Sequence, residues 1–576
     1  MPELSEFEKQ RQENIQRNKE LLKKLNLDSI SQSIADEIPK DKPKAKRRKP
    51  SPKVKQEVEP QRRSRRIAGV KTENTEEFKK AQEEAEERDR QKKELEKLRS
   101  TRLYGNFSLI DLVTDRSSGN LKFEDKVYPV KKEKESEIKE EEENAEEKEE
   151  INIEEDNEVL TLFRDLGDKM SAGDFYDLIR DSKLDYNDKV LETKRKEFDD
   201  LKIYEKVDPL DIKLSHHRIT SINFHSNIKD RIITAGDTNG DIGIWAVDST
   251  KKDEDGDEEA TVSILKTHGK SIARILSPFE TPSKFYTASY DGSVRQMDLN
   301  KLTSTEVVYL HEPNESDDYP LGVSDINFCT DNPNLLYMTT LSGNFYQHDI
   351  RTAFKSIDTK KFLRLSDKKI GSFTINPNKS HQIATASLDR TLKIWDLRNV
   401  SKSNASWSEF EDQLSAHPYG AYNSRLSVSC VDWNIENRLV CNGYDDNICV
   451  FNLDDYKPGV PPVVEWAKDY QPPFKNKEEG VVPNNIQPFT KIRHNCQTGR
   501  WISILKSKWQ TAPKDGVQKF VIANMKRGID IYDQKGQIIA HLTGPKVGVV
   551  PAVTAFHPTE NWVVGGSASG KIYMFE

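Results

Sequence analysis

The sequence predicts an all-β C-terminal domain, a seven-bladed β-propeller over residues 201–576, preceded by a long, charged and mostly disordered N-terminal arm with short helices. Two observations predict the propeller. A strand of alternating apolar residues that ends in a large side chain occurs seven times, and each copy follows a strand of small residues and a tight turn. A third observation predicts the arm, because the chain before about residue 158 is dense in charge and poor in aromatic residues.

The repeat has the spacing of propeller blades. The large residues that close the seven strands lie 43 to 81 residues apart, and they are Trp245, Met297, His348, Trp395, Phe451, Tyr532 and Phe575. Small residues suit the crowded positions between blades, and Asp, Gly and Asn supply the positive φ that a tight hairpin needs. The first strand of each blade is expected upstream, for example at residues 219–225 in the first blade and 501–507 in the sixth.

The last blade lacks a fourth strand of its own, because the chain ends directly after the seventh closing strand. Residues 201–214 (LKIYEKVDPLDIKL) are the natural candidate for the missing strand. A strand supplied from the N-terminal side closes the ring and removes two free sheet edges.

The expected arm covers residues 1–157. Residues 4–27 and 73–100 have helical patterns, and residues 104–113 form an isolated apolar island that is expected to dock on a folded surface. Residues 131–158 contain 15 acidic side chains and 5 lysines, which suits an interaction tail or a plain solvated linker. Residues 158–200 are expected to form short helices that dock on the propeller.

A basic segment in the arm predicts nuclear import. Residues 40–66 contain 13 Lys and Arg against 3 Asp and Glu, and a compact cluster beside proline is formed by Lys46, Arg47, Arg48 and Lys49. The expected location is the nucleus, with the cytoplasm as a second location. A solvated basic linker is the alternative interpretation of the same residues.

No enzymatic motif is recognisable. The sequence contains no Gly-rich phosphate loop, HExxH, GxSxG or paired Cys/His metal site, so we expect a binding platform without catalytic residues, cofactor or metal. The five cysteines have no CxxC spacing, which predicts buried, reduced thiols inside the cell. No apolar run is long enough for a membrane span, and no membrane partner is expected.

One stretch departs from the acidic character of the chain, whose net charge is −8. Residues 483–514 contain six Lys and Arg and no Asp or Glu, and aromatic residues lie among the cations. Stacking on exposed bases requires this combination. The expected DNA-binding residues are Arg493, His494, Asn495, Arg500, Trp501, Lys506 and Lys508, with the two lysines as phosphate contacts. Packing of the tryptophans inside a blade is the alternative, and it is favoured for Trp509.

Three motifs carry a family resemblance, namely TASLDRTLKIWDLR (385–398), HPYGAYNS (417–424) and HNCQTGRWISILKSKW (494–509), and the N-terminal pieces NIQRNKELLKKLNL (14–27), RRSRRIAG (62–69) and SAGDFYDLI (171–179) fit it as well. With them the chain resembles the WD-repeat family that contains the small subunit of the UV-damaged-DNA-binding protein and WD-repeat protein 76, and within it the fungal DNA damage-binding members. The resemblance implies binding to double- and single-stranded DNA, a preference for UV-damaged duplex, and a role in nuclear DNA metabolism and the damage response.

The resemblance also implies a wedge. In the damage-binding relative, a hairpin in this region enters the duplex and fills the space of an extruded lesion. Aligned on Trp509, the wedge falls at Gly499, Arg500 and Trp501, where the relative has Phe-Gln-His.

Two other functions remain open. Asp349 with Arg351, and Asp396 with Arg398, resemble the paired D-x-R boxes of propellers that recruit substrates to cullin-4 ubiquitin ligases. In this alternative the partner is a ubiquitin-ligase adaptor. A scaffold that binds histones or other chromatin proteins without direct DNA contact is the third possibility.

Overall fold

The computed structural model describes residues 96–128, 142–168, 188–252, 258–312, 319–354, 361–453 and 486–576, together with Arg90 and Lys93. All of them belong to one compact unit, Glu84–Glu576. The helix expected over 4–27 and the four import residues lie outside the described residues. Within the helix expected over 73–100, the described residues are helical as far as Arg99.

The described chain contains seven antiparallel sheets in succession, as the repeat predicts. A short strand β1 (Phe107–Ser108) precedes them. Blade 1 consists of β2 (Ile219–Phe224), β3 (Ile232–Asp237), β4 (Asp241–Lys252) and β5 (Glu258–Lys266). Blade 2 consists of β6 (Ile272–Leu276), β7 (Lys284–Ser289), β8 (Ser293–Asp298) and β9 (Thr303–Tyr309). Blade 3 consists of β10 (Val323–Cys329), β11 (Asn332–Thr340), β12 (Asn344–Asp349) and β13 (Leu363–Arg364).

Blades 4 to 7 continue the series. Blade 4 consists of β14 (Ile370–Asn376), β15 (Lys379–Ser387), β16 (Thr391–Ser401) and β17 (Ser415–Asn423), and blade 5 consists of β18 (Val428–Trp433), β19 (Arg438–Gly443), β20 (Asn447–Asn452) and β21 (Thr490–Arg493). Blade 6 consists of β22 (Lys508–Trp509), β23 (Lys519–Asn524), β24 (Gly528–Asp533) and β25 (Ile538–Leu542). Blade 7 consists of β26 (Val553–Phe556), β27 (Val563–Gly566) and β28 (Ile572–Phe575). The all-β, seven-bladed fold is therefore confirmed.

Small residues lie where neighbouring blades press together. A Cβ atom at Gly236 of blade 1 would come within 2.7 Å of Ile272 in blade 2, and a Cβ at Gly566 of blade 7 would come within 2.9 Å of Ile219 in blade 1. Apolar strands fill the remaining space, and Trp245 and Trp395 are almost completely buried. The pattern of small residues therefore sets how closely the blades approach each other.

Residues 201–214 close the ring, as expected. The backbone N–H of Tyr204 donates to the carbonyl of Met574 at 2.8 Å, and the N–H of Leu214 donates to Gly570 at 2.9 Å. Bridges pair Ile203 with Phe575 and Lys213 with Lys571. This segment thus takes the place of a fourth strand beside β28.

Residues 100–128, which we call the strap, lie against blades 1 and 2. Strand β1 pairs with β9 and makes blade 2 five-stranded. The fully buried guanidinium of Arg295 donates to the carbonyls of Leu103 and Gly105 at 3.0 and 2.6 Å. The apolar island expected to dock at 104–113 therefore adds a strand to the propeller.

Helices α1 (Glu124–Val127), α2 (Glu142–Asp168) and α3 (Asp188–Asp199) and the 3₁₀ helices Ile110–Leu112 and Ser403–Ala405 complete the described chain. Leu160, Phe163 and Leu166 of α2 are buried in the cluster that contains the strap and blades 1 and 2. Helix α2 begins earlier than the helical pattern expected from residue 157, because the glutamate-rich block before it is also a good helix former. None of the helices in these residues is long and apolar enough to cross a membrane.

Candidate nucleic-acid interface

One end of the propeller carries two sets of connections, and we call it the turn face. The turns between the second and third strands of each blade lie there, as do the links from one blade to the next. Both sets lie at the same end because successive strands in a blade are antiparallel. The acid-free run reaches this face between β21 and β22.

Residues 494–507, which we call the bridge loop, link blade 5 to blade 6. Asn442 of blade 5 donates from Nδ2 to the carbonyl of Leu505 at 2.8 Å and accepts from the N–H of Ser507 at 2.9 Å. Asp446 accepts from the N–H of Cys496 at 3.0 Å. The loop is therefore fixed to blade 5 at both of its ends.

The middle of the bridge loop contacts blade 1. Arg218 Nη1 donates to the carbonyl of Arg500 at 2.5 Å, and Ser503 Oγ donates to the carbonyl of Ile219 at 2.5 Å. The strand expected over residues 501–507 is wrong, since only Lys508 and Trp509 pair as β22. The backbone groups of this segment bond to the side chains of Asn442 and Arg218 and leave no regular ladder.

Trp501 projects from the bridge loop into solvent. Its side chain is 86% exposed, more than any other large hydrophobic residue in the described chain. Gly499 before it has φ of +61°, and no atom lies within 4 Å of a Cβ built there. Arg500 is exposed between them. Because a solvated indole on an anchored loop has no packing role, this tip is the strongest candidate for a contact with a ligand.

His494 lies inside the protein. Its Nε2 is 3.3 Å from Asp530, which also contacts His541 Nδ1 at 2.5 Å. Burial opposes ionisation of Asp530, but its interactions with the two histidines outweigh burial and lower the pKa of the carboxyl. His268 and Asp291 form a similar buried pair in blade 2 at 3.5 Å. His494 thus holds neighbouring blades together, and we leave it out of the interface.

The two predicted phosphate-binding lysines lie towards the centre of the ring. Lys508 Nζ is 3.3 Å from Asp432 Oδ1, and its side chain is only 13% exposed. Lys506 is half-buried, and burial lowers its pKa despite the nearby carboxylate of Asp325. We therefore leave Lys508 out of the interface. Arg493 is exposed at the end of β21, and Asn495 is exposed at the start of the bridge loop that also contains Trp501.

Exposed charge on the turn face is predominantly positive. Its described connections carry seven exposed cations, namely Lys270, Lys368, Arg390, Arg425, Arg500, Lys526 and Arg527, against one exposed carboxylate, Glu312. The acidic residues Asp237, Asp241 and Asp291 are buried. Asp237 accepts backbone N–H bonds of its own turn, and Asp291 accepts from Ser293. The sequence prediction included only Arg500 among these seven cations. The other six are scattered singly or in pairs over the turns and links of several blades, so no single stretch of sequence is rich in them.

The D-x-R boxes lie at the other end of the propeller, where third strands finish. Arg351 forms an ion pair with Asp349 at 2.6 Å, and Arg398 forms one with Asp396 at 2.7 Å. Both arginine side chains are about two-thirds exposed, at 64% and 65%. Strand direction therefore separates the boxes from Trp501 by the thickness of the propeller.

Comparison with known proteins agrees with this fold. The family model described as WD domain, G-beta repeat matches residues 360–396, which correspond to most of β14–β16. The DNA damage-binding protein CMR1 of Debaryomyces hansenii is 65% identical, and the alignment covers 100% of both chains. The chain belongs to the DNA damage-binding protein CMR1 family. The members from Candida albicans and Yarrowia lipolytica are 56% and 34% identical, again over 100% of both chains.

Membership of the CMR1 family confirms the resemblance that the three motifs indicated. The similarity extends over the arm as well as the propeller, since the aligned regions include the whole chain. The chain is therefore a WD-repeat protein related to DNA damage-binding proteins.

Proposed function

We propose that the chain binds double- and single-stranded DNA through the turn face, prefers UV-damaged duplex, and acts in the nuclear response to DNA damage. The observation that carries the proposal is the exposed indole of Trp501 on a loop fixed to two blades, on a face whose described connections carry seven exposed cations and one exposed carboxylate. The names of the CMR1 relatives, which describe damage-binding proteins, support it.

The geometry suits two kinds of contact. Exposed Arg and Lys side chains on the turn face bind backbone phosphates and release condensed counterions, which gives affinity for any sequence. Trp501 stacks on, or inserts beside, a base that has left the duplex. A damaged base is already poorly stacked, so exposing it costs less free energy than exposing an intact one. The second contact therefore produces the preference for damage.

The test is a titration of the full-length chain with fluorescent intact duplex, UV-irradiated duplex and single strand at several salt concentrations. We expect binding to all three, tighter binding to irradiated duplex, and an affinity that falls with salt. Absence of binding at low salt would remove the proposal. Equal affinity for irradiated and intact duplex would retain DNA binding and reject the damage preference.

Nuclear location follows from the basic cluster of the arm and from DNA as the ligand. Replacing Lys46, Arg47, Arg48 and Lys49 together with alanine removes the compact charge that an import receptor grips. A fluorescent fusion of this variant is expected to redistribute to the cytoplasm. Retention in the nucleus would show that these four residues are not the import signal.

A second candidate function is supported by the exposed, paired arginines of the D-x-R boxes. If the chain is a ubiquitin-ligase adaptor, Arg351→Ala and Arg398→Ala should abolish capture of a cullin-4 complex. Both variants should bind DNA like the wild type, because the boxes lie at the end opposite Trp501. Failure of the wild type to capture such a complex would dispose of this candidate.

A further inference from the structure

The seven turns of the turn face share one backbone conformation. In each turn, one residue has positive φ, and its carbonyl accepts a hydrogen bond from the link that follows the blade's last strand or, in blade 7, from residues 201–214. The seven residues are Gly240 (+93°), Gly292 (+87°), Gly343 (+86°), Arg390 (+73°), Asp446 (+58°), Arg527 (+64°) and Gly570 (+80°).

Glycine is the expected residue at this position. Positive φ is unfavourable for residues with a side chain, and non-glycine residues adopt it rarely. Space is also short, since a Cβ at Gly343 would lie 2.0 Å from the carbonyl oxygen of Ser366. Three turns nevertheless carry a large or charged side chain. Strain of this kind persists where a side chain has a task that glycine does not perform.

Asp446 has such a task within the protein, because its carboxylate accepts the N–H of Cys496 and fixes the start of the bridge loop. Arg390 and Arg527 differ from it. Both are exposed, and among the described residues neither guanidinium has a hydrogen-bond or ion-pair partner. Within the described residues, their side chains therefore make no stabilising contact that would offset the conformational strain of a positive φ.

Each of the two arginines has a second cation beside it. The carbonyl of Arg390 accepts from the N–H of Ser424, which brings exposed Arg425 to the same place on the turn face. Exposed Lys526 directly precedes Arg527. The two pairs belong to the turns of blades 4 and 6, on either side of blade 5, to which the bridge loop is fixed.

We propose that Arg390 and Arg527 are phosphate-binding residues that hold the DNA backbone on the turn face, on the two sides of blade 5. The inference rests on the proposed DNA-binding function and extends it to residues outside the acid-free run. Arginine suits the role because its planar fork donates two parallel hydrogen bonds to one phosphate. Both side chains are exposed on the turn face, where they can reach a ligand.

The experiment combines Arg390→Gly and Arg527→Gly, singly and together, with titrations of intact duplex at several salt concentrations. Each variant should bind about three- to tenfold more weakly at 0.15 M salt, and the slope of log affinity against log salt should fall by about one per residue. The melting temperature should stay equal or rise, because glycine relieves the strained backbone. Loss of binding together with unchanged or increased stability distinguishes a ligand contact from a folding role.

Two further variants control for charge and strain. Arg390→Ala removes the charge but keeps a side chain at positive φ, so it should lose the same affinity as Arg390→Gly without the gain in stability. Lys229→Ala removes an exposed cation from the opposite end of blade 1 and should bind like the wild type. Wild-type affinity and salt slope in the double glycine variant would overturn the inference, while DNA binding by that protein would leave the proposed function standing. A wild type that binds no DNA would reject both.

Discussion

Replacing Trp501 with alanine should weaken binding to UV-irradiated duplex by about 1–3 kcal/mol, the usual contribution of one base–aromatic stack. The loss should be smaller on intact duplex, because a base that stays in the helix offers no open face to the indole. Fluorescence anisotropy with the two duplexes measures both losses. The side chain is 86% exposed, so the free energy of unfolding should change by no more than about 0.5 kcal/mol.

Phe489→Ala is the matched control. Phe489 is an exposed aromatic of the same acid-free run, but it precedes β21, which runs towards the turn face, and therefore lies at the far end of the blade. Its removal should leave both affinities unchanged. Trp501→Phe retains a stacking ring and should recover part of the lost affinity. A folded Trp501→Ala protein with wild-type affinity for both duplexes would reject the wedge and leave the cations as the DNA contact.

The fold was predictable because propeller blades repeat their chemistry. Alternating apolar strands, small residues between blades and tight turns recur seven times, and the closing role of residues 201–214 follows once the repeats are counted. Blade 6 was the exception. Its first strand was expected over residues 501–507 from an alternating pattern, but tertiary hydrogen bonds to Asn442 and Arg218 replace the ladder. Pattern alone does not reveal such long-range partners.

The candidate site was predictable only in part. Composition identified the acid-free run and Trp501, whose exposure the structure then shows. Composition did not distinguish the exposed Arg500 from the buried His494. Residue type alone does not show whether a histidine packs against a carboxylate of the next blade, as His494 does against Asp530, or faces solvent. The strained arginines escaped notice for a different reason. Their φ angles become meaningful only when all seven turns are compared at one structural position.

The largest effect on stability is expected at Asp515, which joins α3 to blade 6. Its carboxylate accepts Lys519 Nζ at 2.9 Å and lies 3.0 Å from Lys194 Nζ of α3. Lys519 is completely buried. Asp515→Ala therefore leaves a buried ammonium group without its counter-charge and should lower the free energy of unfolding by about 3–5 kcal/mol. Urea unfolding followed by tryptophan fluorescence measures the loss.

A second substitution tests whether the stranded charge is the cause. Lys519→Met removes the ammonium group and keeps an apolar chain of similar length, so the double variant with Asp515→Ala should be clearly more stable than Asp515→Ala alone. No recovery in the double variant would assign the loss to the other contacts of Asp515, namely the ion pair with Lys194 and the hydrogen bonds that it accepts from Val517 and Asn561.

The pH dependence gives an independent check. Burial lowers the pKa of Lys519 to about 8, although Asp515 opposes the shift. A buried lysine with a depressed folded-state pKa destabilises the folded protein fully below that pKa, where it is charged. This destabilisation is lost as the pH rises towards the pKa of lysine in the unfolded chain, near 10.4. Without Asp515 the folded-state pKa falls further, and the variant begins to recover stability at lower pH than the wild type. The stability difference between Asp515→Ala and wild type should therefore shrink as the pH is raised towards 8, and a constant difference over that range would exclude Lys519 as its source.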